Sequence, residues 1–200
     1  MKAIIFDLGN VLVPYDHCRT VRAVAALCKC DANLIDTLFE SLHDVFGQGR
    51  IDADEFCRRM LEGTDAPATI TCEAFFDAFC AGVGRDDVTL AYAVELQARP
   101  DVTVGVISNT NQVHVAWLDE HVPELAALDL VMMSNEVELL KPDPEIFLLA
   151  LELLGIEPTD ACFVDDQPGN VAAAAALGMH ALLHRSWAET GPAIEAWLAA

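Results

Sequence analysis

Four places far apart in this chain put polar or charged groups at the end of an apolar run: Asp7 after Ala3-Ile4-Ile5-Phe6, Ser108-Asn109 after Val104-Gly105-Val106-Ile107, Lys141 after Leu139-Leu140, and Asp165-Asp166 after Cys162-Phe163-Val164. Adjacent carboxylates at such a position repel by roughly 1 kcal/mol or more unless a cation lies between them and Asp7. Hard oxygen donors without a neighbouring His or Cys favour Mg²⁺. Lys141 is one of three lysines, with Lys2 and Lys29, and Pro142-Asp143-Pro144 fixes the backbone behind it, so its ammonium is aimed rather than free. Ser108 followed by Asn reads equally as a helix cap or as a ligand. Asp7 reads equally as a turn cap or as a site carboxylate. The choice rests on whether these strand ends converge.

Convergence requires a parallel sheet. Residues 3–6 form a short apolar run rich in Ile with no helical period, which predicts a strand buried on both faces. From Asp86 onward, strands at 102–107, 128–133, 161–164 and 180–184 alternate with helices at 87–99, 113–119, 143–154 and 168–177. That rhythm predicts α/β architecture, a parallel sheet with right-handed crossovers whose carboxyl ends share one edge. Between Pro14 and Gly84 no strand interrupts the helical pattern. Leu34, Ile35, Leu38, Phe39 and Leu42 form one stripe after an Asp31 cap, and Phe75, Phe76, Phe79 and Cys80 another after Thr71. Asp52 and Glu55 have the spacing of a capping box. A small helical bundle inserted after the first strand is expected.

The formal charge of −21, from 32 acidic and 11 basic residues, argues against a nucleic-acid or anionic-membrane partner. It leaves room for a small anion held locally by a metal and one lysine. No signal-like segment precedes the first strand and no apolar run is long enough to span a membrane. The seven cysteines lack paired Cys-x-x-Cys spacing, so reduced thiols, no zinc site and a cytoplasmic location are expected.

In order and spacing, Asp7-Leu8-Gly9-Asn10-Val11, Ser108-Asn109-Thr110, Lys141-Pro142 and Asp165-Asp166 resemble the four motifs of the haloacid dehalogenase superfamily of phosphohydrolases. The opening Phe-Asp-Leu-Gly-Asn-Val, the Gly49-Arg50-Ile51 turn and the Ser-Asn-Thr-Asn run look most like the bacterial branch that includes an α-glucose-1-phosphate phosphatase. The resemblance implies a Rossmann-like catalytic core in residues 1–14 and 86–200 and an α-helical cap in residues 15–85. It implies a Mg²⁺-dependent phosphatase acting on a small phosphorylated metabolite through an aspartyl-phosphate on Asp7. Mg²⁺ would be held by Asp7, the Gly9 carbonyl and Asp166, with Asp165 orienting a ligand or acting through water. Lys141, Ser108 and the Asn109 amide would hold the phosphoryl group.

One departure stands out. Most phosphatases of the superfamily carry an Asp two residues after the nucleophile, as general acid and base, and here that residue is Gly9. A substrate with a good leaving group, such as a hexose 1-phosphate, needs less acid help, and Asp16 could fold back over the site to substitute, with a helix N-cap as its equally weighted alternative. A 2-haloacid dehalogenase also lacks that Asp but needs no metal, a phosphomutase relies on the missing carboxylate, and a non-catalytic binding protein on the same scaffold is the reading from another class.

Overall fold

The computed structural model describes residues 1–200. After β1 (Lys2–Phe6) come four helices, α1 (His17–Cys28), α2 (Ala32–Gly47), α3 (Ala53–Gly63) and α4 (Cys72–Phe79). Then follow α5 (Asp87–Gln97), β2 (Val102–Ser108), α6 (Gln112–His121), β3 (Leu130–Met133), α7 (Ser134–Val137), α8 (Pro144–Leu154), β4 (Ala161–Asp165), α9 (Pro168–Ala176), β5 (His180–Leu183) and α10 (Trp187–Ala199). The five strands form one parallel sheet in the order β3-β2-β1-β4-β5, so the expected α/β fold is present. β1 lies at its centre, with Phe6 paired to Val106 on one side and Val164 on the other.

Alternation along the central strands divides the core. Ile4, Phe6, Val104, Val106 and Val164 pack on one face beneath Leu90 and Leu96 of α5 and Ile194 of α10. Ala3, Ile5, Ile107 and Phe163 pack on the other beneath Ile146, Phe147 and Leu151 of α8. Both faces are covered, which is why these strands read as continuous apolar runs. The helices between β1 and β2 have a separate core of Val21, Ile35, Phe46, Phe56, Phe75 and Phe79, joined only by Val113 from α6.

Helix starts follow the sequence. Asp31, Asp52 and Thr71 accept backbone N–H bonds from Asn33, Glu55 and Ala74. The box at Asp52 is half made, because the Glu55 carboxylate turns to Arg58 and Arg59. Nothing in the pattern after His184 announces α10. Gly191 and Pro192 lie inside it and obscure a helix that Ile194 anchors to the sheet.

Cys57 and Cys72 form a disulfide, their Cα atoms 5.8 Å apart. This corrects the expectation of seven reduced thiols. The 15-residue separation brings the start of α4 back beside α3, a juxtaposition that cysteine spacing does not reveal. Of the other five, Cys28 and Cys162 are buried and Cys18 is exposed. No helix is long and apolar enough to cross a membrane.

Candidate active site

The parallel sheet brings the strand ends together. Asp7 leaves β1 with its N–H bonded to the Val164 carbonyl at 2.8 Å, beside the end of β4. Lys141 extends between the two strands. Its Nζ donates to Asp7 Oδ1 and to Asp165 Oδ2, both at 2.7 Å. Lys141 is 4% exposed, Asp7 8% and Asp165 0%, so this is a buried ion triad. A lone charge at such a place costs several kcal/mol, which the paired geometry offsets.

Supports hold the triad. Asn109 clamps the Lys141 backbone, its Nδ2 donating to the Lys141 carbonyl and its Oδ1 accepting the Lys141 N–H, both at 2.8 Å. The side-chain amide is thereby committed, and what Asn109 has left to offer an anion is its own main chain. Asp165 also accepts from the Gln167 N–H at 2.7 Å and from Asn170 Nδ2 at 3.0 Å. Asn170 and Ser134 were not legible as site supports. The Ser134 hydroxyl lies fully buried, accepting the Thr110 N–H at 2.9 Å and donating to the Gly47 carbonyl at 2.6 Å. It ties the end of α2 to the strand end that carries Ser108. A polar residue one turn into a helix after Asp-Asp-Gln-Pro is the only sequence signal for Asn170.

The carboxylates of Asp7, Asp165 and Asp166 each place an oxygen within 4.8 Å of the others. Their availability differs. Both Asp165 oxygens are taken by Lys141, Asn170 and Gln167. By contrast, Asp7 Oδ2 meets no side-chain donor, the Gly9 carbonyl accepts no hydrogen bond, and Asp166 uses only Oδ2, towards Asn10 and Gln167. Three oxygen acceptors without protons to receive fit a hard divalent cation. Burial raises the Asp7 carboxyl from 3.8 to about 6, with Lys141 pulling it down and Asp165 pushing it up. A cation at this place opposes that rise.

A cavity of about 410 Å³ opens over the site. Asp7, Gly9, Ser108, Asn109, Lys141 and Asp166 line one end, and side chains of the inserted helices line the other. Asp16 is not brought in. It lies exposed, accepting the Arg19 N–H at 2.9 Å as the N-cap of α1, and does not line the cavity. Held at the start of α1 and outside the cavity, Asp16 is not the stand-in for the acid missing at Gly9.

His114 lines the same cavity, stacked on Phe79 at 4.6 Å and edge-on to Tyr15 at 5.6 Å. Burial lowers its pKa from 6.5 to about 4. The unfolded chain therefore takes up this proton first, so stability is full above about pH 6.5 and is lost as pH falls from there towards about 4. His114→Phe is expected to remove that component: between pH 7 and pH 5 its melting temperature should fall less steeply than that of the wild type.

Residues 1–178 match the profile of haloacid dehalogenase-like hydrolases. The chain is 28% identical over 190 residues to D-ribitol-5-phosphate phosphatase of Bacteroides thetaiotaomicron, covering 89% of each. It is 27% identical over 209 residues to ribulose-1,5-bisphosphate 5-phosphatase of Halopiger xanaduensis, covering 90% of this chain and 83% of that one. A HAD family enzyme of Bacteroides thetaiotaomicron, solved with magnesium and inorganic phosphate, superposes with a TM-score of 0.83 at 23% identity, covering 95% and 98%. With motifs, sheet order and profile in agreement over most of its length, the chain belongs to the haloacid dehalogenase-like hydrolase family.

Proposed function

We propose that this protein is a Mg²⁺-dependent phosphatase of small phosphate monoesters that transfers the phosphoryl group first to Asp7 and then to water. The observation that carries the proposal is Lys141 held between Asp7 and Asp165 beside three open oxygen acceptors. In this reading one oxygen of the Asp7 carboxylate forms a bond to phosphorus, the other being left for the cation, as the ester P–O bond breaks and the alkoxide departs, taking its proton from solvent. Water then attacks the same phosphorus, the Asp7–phosphorus bond breaks, and phosphate leaves. Splitting the displacement in two is the gain from covalent catalysis.

Asp7, the Gly9 carbonyl and Asp166 would hold Mg²⁺, whose charge, when bound, offsets that of the phosphoryl oxygens and the nucleophile. Asp165, with its oxygens taken, orients Lys141. Lys141 keeps Asp7 positioned and adds positive charge to the site, while Ser108 and the Asn109 main chain contact the phosphoryl group. Residues 15–85 act as the cap over a core of residues 1–14 and 86–200 and exclude water from the cavity. Gly9 has no proton to exchange and Asp16 is committed elsewhere, so the departing alcohol lacks a protein acid. General acid help is worth roughly 10²- to 10⁴-fold, and esters of more acidic alcohols should be hydrolysed correspondingly faster.

The phosphatase relatives act on different alcohols and support only the phosphate ester as common ground. The test is phosphate release from acetyl phosphate and 4-nitrophenyl phosphate with Mg²⁺. Release that EDTA abolishes and Mg²⁺ restores supports the proposal. Metal-independent chloride release from 2-chloropropionate, without phosphatase activity, would make the protein a haloacid dehalogenase. Neither activity would leave a binding protein on this scaffold.

A further inference from the structure

The cavity changes character along its length. Near Asp7 it is polar, whereas its far wall is built from the rings of Tyr15, Phe39, Phe46, Phe56 and Phe79. Phe46 and Phe56 stack at 4.0 Å, Phe79 tilts against Phe56 at 5.1 Å, and Phe39 meets Phe79 edge-on at 5.2 Å. These rings belong to the core of the inserted helices and also face the space where the departing alcohol must lie.

Positive charge is confined to the other end. Lys141 is the only lysine or arginine lining the cavity, and it is engaged by Asp7 and Asp165. Two of the lining histidines already face carboxylates, His17 with Nε2 at 2.6 Å from Asp36 and His43 with Nδ1 at 3.0 Å from Asp44. The third, His114, is kept neutral by its burial. The Tyr15 hydroxyl is directed to His17 Nδ1 at 3.5 Å. A second phosphate or a carboxylate on the substrate would enter this end without a counter-charge, in a protein of net charge −21. A polyol would bring several hydroxyls to a ring-lined wall where His114 Nε2 is the one buried polar side-chain atom still without a partner, too little to satisfy them.

We propose that the alcohol released here is uncharged and carries an apolar ring, so that the substrate is the monophosphate of a ring-bearing neutral alcohol rather than a polyol phosphate, a bisphosphate or a phosphorylated acid. This rests on the phosphatase reading above and names the substrate class of that site. The ring lies against the wall of Phe39, Phe56 and Phe79, where flat apolar faces gain most from contact with aromatic rings.

The experiment compares kcat/KM, with Mg²⁺, for 2-phenylethyl phosphate, 2-(4-carboxyphenyl)ethyl phosphate, ribitol 5-phosphate and fructose 1,6-bisphosphate, using acetyl phosphate as a small reactive reference. 2-Phenylethyl phosphate should exceed each of the other three esters by about tenfold or more. In Phe39→Ala, a partly exposed position, its ratio to acetyl phosphate should fall about tenfold, chiefly through KM. Phe39→Arg should move the preference towards the carboxyphenyl ester, which loss of folding cannot do. A preference for ribitol 5-phosphate or the bisphosphate overturns this inference and leaves the phosphatase standing. So does an unchanged ratio in both Phe39 variants. No phosphate from any ester, acetyl phosphate included, overturns the phosphatase reading and this inference with it.

Discussion

Lys141→Met is expected to lose both stability and activity. The substitution leaves Asp7 and Asp165 buried side by side without their shared cation. Removing one partner from such a group costs about 3–5 kcal/mol. In a chain of this size that lowers the melting temperature by roughly 6–20 °C. Loss of a positioned charge facing the phosphoryl group lowers kcat by at least about 10²- to 10³-fold. The two losses are separable. Adding Asp165→Asn to Lys141→Met removes one of the stranded charges and should recover a large part of the lost stability with no recovery of turnover. If the double variant melts no higher than the single one, the triad does not have the energetic role assigned to it. Thermal melts and phosphate release on the same preparations decide.

Asp7→Asn is expected to do the reverse to stability. The neutral amide is a poor nucleophile towards phosphorus, so turnover should fall by about 10⁴-fold or more, to the level left by binding alone. Yet burial holds the Asp7 carboxyl at about 6 in the absence of metal. A carboxyl raised from 3.8 to about 6 on folding contributes stability that is present below about pH 3.8 and is lost as pH rises to about 6. At neutral pH the metal-free wild type therefore carries the part of this charge's burial cost that Lys141 does not offset, and the amide does not. In EDTA at pH 7, Asp7→Asn should melt at or above the wild-type temperature. A marked drop would show that the pairing with Lys141 outweighs burial at this position.

These opposite signs come from parts of the chain that differ in how openly the sequence displays them. Strands buried on both faces write themselves as apolar runs, and a parallel sheet sends their ends to one edge, so Asp7, Ser108, Lys141 and Asp165-Asp166 were legible as a convergent group. Their division of labour was not. Asp165 and Asp166 are adjacent and chemically identical, and only the placement of Lys141, Asn170 and the Gln167 N–H takes up both oxygens of the first and leaves Oδ1 of the second open. Asn109 reads as a ligand in sequence, but its side-chain amide forms a clamp on Lys141. Ser134 follows directly on the expected strand at 128–133 and becomes the tie between α2 and the Ser108 edge only when the inserted helices dock. The same holds for the cavity wall. Phe39 and Phe79 were legible as helix stripes, which specify what is buried within the bundle but not which ring edges face the core. The Cys57–Cys72 pair and α10 likewise depend on chain return and on long-range packing.

The central claim is that this geometry leaves Asp7 free to take a phosphoryl group in the presence of a divalent ion. The most direct measurement is acid quenching of the protein milliseconds after mixing with ³²P-labelled acetyl phosphate and Mg²⁺, followed by mapping of the labelled peptide. Label on Asp7, absent without Mg²⁺ and absent in Asp7→Asn, is the expected result. Label on any other residue, or phosphate release with no labelled protein at any time while Asp7→Asn turns over normally, would contradict it.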